Sequence, residues 1–158
     1  MGRGASGRGS SISRPWAIAA AVAIALIWTN SLVPGDTSTS TSTGIMVAVR
    51  SALASLGLPS AWVTNLLVRK IGHLLEYAAL GVLVSQALDP DRSLEPVTFI
   101  PIAIVLALVP SVDETIQLFV PGRSGQVTDV LLDCCGAALG VALRSLAIWL
   151  AKRRRANP

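Results

Sequence analysis

Four apolar stretches of membrane-crossing length, at about residues 15–33, 68–88, 97–116 and 129–150, constrain this chain more than any other feature. The first, 19 residues long, reaches about 28 Å as a helix, close to the thickness of a bilayer's hydrocarbon core. Backbone polar groups in that layer must be satisfied within the protein, and a continuous apolar run does this as a helix. The expected fold is all-α: a four-transmembrane-helix bundle with an extra short interfacial helix in the outer loop. Composition agrees. Of 158 residues, 52% are hydrophobic and 14% charged, with a mean hydropathy of +0.62, too apolar for an ordinary soluble domain. The pI near 9.8 raises nucleic acid as a partner. The basic residues cluster at the ends and beside apolar runs, which is how membrane topology is written, so the partner is the lipid bilayer and not nucleic acid.

Residues 1–14, rich in Gly, Ser and Arg, read as a disordered tail. The membrane domain spans residues 15–151, with Trp16 and Trp28 near the two ends of its first helix, and a basic tail follows at residues 152–158. Asp36–Thr43 reads as a flexible Ser/Thr tract. Residues 44–58 put Ile45, Val49, Leu53 and Leu56 on one face of a helix too short to span. Pro110 should kink the third span just before Asp113 and free a carbonyl there. The adjacent Cys134 and Cys135 lack zinc-site spacing and read as small packing residues.

The polar residues are concentrated. Lys70, His73, Glu76 and Tyr77 lie near the start of the second span. Asp113, Glu114 and Gln117 close the third, Arg123 stands in the turn, and Asp129 and Asp133 open the fourth. Ionisable groups at membrane depth are costly and mark functional sites. With both termini cytoplasmic, Arg3, Arg8, Arg14, Arg92, Lys152, Arg153, Arg154 and Arg155 fall inside. Only Arg50, Arg69, Lys70 and Arg123 fall outside, as the positive-inside rule requires. That orientation brings all three polar stretches to one extracytoplasmic mouth. The expected ligand-binding set is Lys70, His73, Glu76, Asp113, Glu114, Gln117, Arg123, Asp129 and Asp133. On the fourth span Asp129, Asp133, Gly136, Gly140 and Arg144 share a face. The two glycines admit a close helix neighbour, within the chain or from a second copy in a homo-oligomer. Arg144 either snorkels or points into the bundle.

Two motifs carry a resemblance. Lys70-x-x-His73-x-x-Glu76-Tyr77-x-x-Leu80-Gly81 resembles the second-helix signature of the VanZ-like family. Asp113-Glu114-x-x-Gln117-x-Phe119-x-Pro121-Gly122-Arg123-x-Gly125-x-x-x-Asp129-Val130-x-x-Asp133-x-x-Gly136-x-x-x-Gly140 resembles its third-to-fourth-helix signature. Trp28-Thr29-Asn30-Ser31-Leu32-Val33-Pro34-Gly35 resembles the first-helix exit more weakly. Asp133 stands where that family usually has Asn. The resemblance implies a multi-pass bacterial plasma-membrane protein of the cell envelope, in a family with a member associated with low-level teicoplanin resistance.

Three chemistries fit these residues. The mouth could bind a lipid-linked or cell-wall headgroup, with Arg123 and Lys70 suited to phosphate or carboxylate and the acids suited to a divalent cation bridging to phosphate. It could be an intramembrane enzyme acting on a lipid headgroup, with His73 as acid or base and Glu76 or Asp113 orienting it. It could be a proton-linked carrier, which would need polar groups in the opposite half, where Arg144 is the candidate. No cofactor signature is legible.

Overall fold

The computed structural model describes residues 12–90, 94 and 96–156. Among these it has five helices and no strand: α1 (Arg14–Ser31), α2 (Gly35–Ser55), α3 (Asn65–Leu88), α4 (Pro96–Gln117) and α5 (Val127–Ala156). The tail expected at residues 1–14 lies outside the described residues up to residue 11, and Arg14 opens α1. Helices α3, α4 and α5 are each long and apolar enough to cross a membrane. Helices α1 and α2 pass that test only together, as a pair bent by 107°. Counting that bent pair as one span gives four. Large apolar side chains face outward, among them Val97, Ile100, Leu131 and Leu143. A lipid solvent accounts for that exposure; water does not.

The second helix corrects the expectation. It begins directly after Pro34 and runs 21 residues through the Ser/Thr tract, where a flexible segment and a short helix at 44–58 were anticipated. Its hydroxyls are satisfied locally. Thr41 donates to the Thr37 carbonyl at 3.1 Å and Ser42 to the Ser38 carbonyl at 3.0 Å. Asn65, at the start of α3, clasps the tract by donating to Thr43 Oγ1 at 2.7 Å and to the Thr39 carbonyl at 3.3 Å.

The seam between α3 and α5 is the closest in the bundle, and small residues make it. A Cβ built on Gly140 would lie 1.9 Å from the Ala78 carbonyl oxygen, one on Gly136 2.5 Å from that of Leu74, and one on Gly81 2.1 Å from that of Ala137. Any side chain there would push the backbones apart. The glycine face that could have met a second copy is filled here by α3 of the same chain. Around the seam, Tyr77, Leu80, Val84, Ile102, Leu106, Val109 and Ala137 form the core, with Ile27 and Ala20 from α1.

Pro110 sits inside α4 and has no N–H for the Leu106 carbonyl. The Cys134 thiol faces that carbonyl at 3.8 Å, a weak hydrogen bond. Cys134 is therefore a donor to the freed oxygen, beyond the packing role its sequence offered. The basic run Lys152–Arg155, expected as a tail, continues α5 to Ala156, with the Arg153 guanidinium 5.3 Å from the Trp149 ring centre.

At the end of the bundle where α1 starts, Ser13 N donates to the Ala87 carbonyl. Arg144 is buried there and points into the bundle. Its Nε donates to Gln86 Oε1 at 2.7 Å and its Nη2 to the Asp89 carbonyl. Arg144 thus caps the C-terminus of α3, whose last carbonyls lack helical donors.

Candidate functional site

The opposite end holds the polar residues. It gathers the C-terminus of α1, the N-terminus of α3, the C-terminus of α4 and the N-terminus of α5. Two turns are pressed together to do so. Gly35 N donates to the Pro121 carbonyl at 3.0 Å, and a Cβ on Gly35 would fall 1.8 Å from the Gly122 oxygen. Gly122 itself has φ of +72°, a conformation glycine adopts without strain. This contact sets Arg123 over the end of α1, where it donates to the carbonyls of Val33 at 3.1 Å and Asn30 at 3.0 Å.

Four of the expected residues form one tight group. His73, Asp113, Glu114 and Asp133 each bring a nitrogen or carboxylate oxygen to within 4.8 Å of the others. Helix geometry explains the convergence: Asp113 and Glu114 lie near the end of the buried stripe of α4, while His73 and Asp133 face each other across the glycine seam. His73 Nδ1 lies 3.4 Å from Asp133 Oδ1. Gln117, one turn beyond Asp113, donates from Nε2 to Glu114 Oε1 at 2.9 Å and to Asp113 Oδ2 at 3.3 Å. The Gln126 N–H gives Glu114 Oε2 a further bond at 2.8 Å.

The remaining expected residues flank this group. Lys70 pairs with Asp129 across α3 and α5. That pair lines a small cavity of about 80 Å³ together with His73, Arg69 and Ser124. Glu76 and Arg123 open onto a second cavity of about 210 Å³, which His73 also lines. His73 and Arg69 are the walls common to both.

The second cavity contains residues that the sequence reading passed over. Arg69, Asn30, Ser38, Thr41 and Ser42 form much of its wall. Their signal was present, since Ser38, Thr41, Ser42 and Ile45 recur at helical spacing, but Ser/Thr composition pointed to a flexible turn. Two guanidinium groups therefore share one cavity. Burial pushes the Arg123 guanidinium down from the ordinary arginine range, and the nearby Arg69 charge adds to it. Arg123 remains a cation all the same, since arginine does not deprotonate in proteins.

A model of the VanZ/LLP1 family matches residues 16–149, most of the chain and both motifs. The chain belongs to the VanZ/LLP1 family. No curated protein and no solved structure matches it. For this VanZ/LLP1 protein the membrane helices and the family point the same way, to a membrane protein.

Proposed function

We propose that this VanZ/LLP1 protein is a cell-envelope protein whose polar mouth faces outward and holds the phosphate-bearing headgroup of a lipid-linked molecule. Such binding would change cell-surface composition and, through it, susceptibility to glycopeptides such as teicoplanin. The observation that supports this reading is the cavity of about 210 Å³ shared by Arg69 and Arg123. Two like charges in one partly buried cavity repel, and a bound phosphate relieves that repulsion while offering acceptors to both forks. Ser38, Thr41 and Asn30, which line the same cavity, suit phosphate oxygens or sugar hydroxyls. The location at a bundle end suits a headgroup whose tail remains in the bilayer. The positive-inside excess at the other end supports the outward orientation.

The test is binding of a polyprenyl phosphate to the purified protein in nanodiscs, with the uncharged polyprenol as control. The phosphate is expected to bind at least tenfold more tightly than the alcohol, and Arg69→Gln to remove most of that preference. Equal binding of the two lipids would sink the reading.

A second reading has one observation in its favour. His73 borders both cavities and stands 3.4 Å from Asp133, the arrangement of an acid–base group held by a carboxylate. In that reading the headgroup is hydrolysed by activated water. Phosphate release from the bound polyprenyl lipid, abolished by His73→Gln with headgroup binding retained, would separate the enzyme from the binder.

A further inference from the structure

Charge is out of balance at the centre of the mouth. Asp133 has no exposed surface, Asp113 is 1% exposed and Glu114 4%. Their hydrogen bonds come from uncharged amides, Gln117 Nε2 and the Gln126 N–H. Of the cations nearby, Lys70 pairs with Asp129 and Arg123 with the carbonyls of Val33 and Asn30, while Arg69 lines both cavities and makes no ion pair with these acids. Neither oxygen of Asp133 accepts a hydrogen bond, and Asp113 Oδ1 and His73 Nδ1 are likewise without a hydrogen-bond partner. Buried carboxylates this close together demand a positive charge or protons. The Tyr77 hydroxyl is a buried donor that also lacks a hydrogen-bond partner, and it carries no charge; leaving several buried acceptors short of donors costs more than ordinary packing returns.

We propose that His73, Asp113, Glu114 and Asp133 form a site for a divalent transition cation. The four side chains supply three hard oxygens and one imidazole, a donor set that suits Mn²⁺, Fe²⁺ or Zn²⁺ better than the all-oxygen preference of Ca²⁺. Their ligand atoms lie within 4.8 Å of one another; donors at about 2.1 Å from one ion are separated by about 3.0–4.2 Å, so small side-chain adjustments close the shell. The 3.4 Å between His73 Nδ1 and Asp133 Oδ1 already falls in that range. Gln117 holds Asp113 and Glu114 from outside, the supporting role that outer partners play around metal ligands. His73 reaches both cavities and so sits on the entry path. Positions left open by the protein would face that side and could take a phosphate oxygen. Only this bridging role rests on the headgroup reading. The cation site does not, and testing it with metal alone lets the two fail separately.

The experiment is Mn²⁺ titration of the full-length protein in nanodiscs, read by electron paramagnetic resonance. The expected result is one tightly bound Mn²⁺ with nitrogen hyperfine coupling in the pulsed spectrum. His73→Gln should abolish the coupling, and Asp133→Asn, which nearly preserves shape, should weaken binding at least tenfold. Asp89→Asn, at the other end of α3, should leave binding unchanged. The nitrogen coupling is read on the unsubstituted protein, so the proposal stays falsifiable even if a variant fails to fold. Absence of bound Mn²⁺ and of Zn²⁺ competition would overturn the site. So would a bound Mn²⁺ without nitrogen coupling, or one indifferent to both His73→Gln and Asp133→Asn.

Discussion

The helix pair α3 and α5 carries a buried polar cluster at each end, and the two differ in one respect. At the Arg144 end the charges match: the guanidinium feeds Gln86 and the Asp89 carbonyl, and Asp89 Oδ2 accepts from Leu94 N at 2.9 Å. One arginine and one aspartate leave no net charge. At the His73 end three buried acids meet one imidazole and amide donors, and Asp133 accepts no hydrogen bond. Burial alone does not distinguish the clusters; balance does. A balanced buried cluster fastens helices together. An unbalanced one persists at a cost to stability, and such strain collects at functional sites.

Substitutions can break or sharpen this contrast. The largest effect is expected at the balanced end. Arg144→Met removes the donor group and strands the acceptors of Gln86 and Asp89, so stability should fall by about 3 kcal/mol, measured by reversible denaturant titration in micelles. A smaller loss than that of any substitution at the His73 end would break the contrast. Next, in metal-free protein, Asp133→Asn should stabilise by about 1 kcal/mol, because removing a like charge beside Asp113 and Glu114 outweighs the loss of the long 3.4 Å contact with His73. A clear destabilisation would mean that the cluster is balanced by something the geometry does not reveal. The smallest effect belongs to Lys70→Met. The Lys70–Asp129 pair is partly open, with side chains 33% and 19% exposed. Solvent screening should hold the stability loss below about 1 kcal/mol, detectable as a small shift in the same titration.

Much of this was legible in the residues. Long apolar runs announced the helices, because a bilayer leaves backbone few alternatives. The spacing of Asp129, Asp133, Gly136, Gly140 and Arg144 announced a single face; the last four are buried and Asp129, at its outer end, is half-buried. The three polar stretches do converge at one end of the bundle. Helix α2 was misread for a physical reason. Ser and Thr usually compete with helix by bonding to nearby backbone, yet here Thr41 and Ser42 bond back to carbonyls of their own helix and leave it intact. That error hid the wall of the cavity containing Ser38, Thr41 and Ser42. The direction of Arg144 was open because a long side chain on an inward face reaches either the interface or the core, and only the position of Gln86 and Asp89 decides. The role of Cys134 depended on which carbonyl Pro110 would free and on what lay opposite it, a matter of three-dimensional register.

The paired turns at Gly35 and Gly122 impose an order on biogenesis. The first turn leaves the ribosome early and the second only after α4 has been made. Arg123 rests on carbonyls from the end of α1, and Asp133 arrives only with α5. A nascent chain stopped before residue 122 would hold three of the four clustered side chains, His73, Asp113 and Glu114, without the parts that complete their surroundings. Completion of the mouth therefore waits on the final hairpin closing against the oldest corner of the chain, so the site matures last although its first wall is synthesised first.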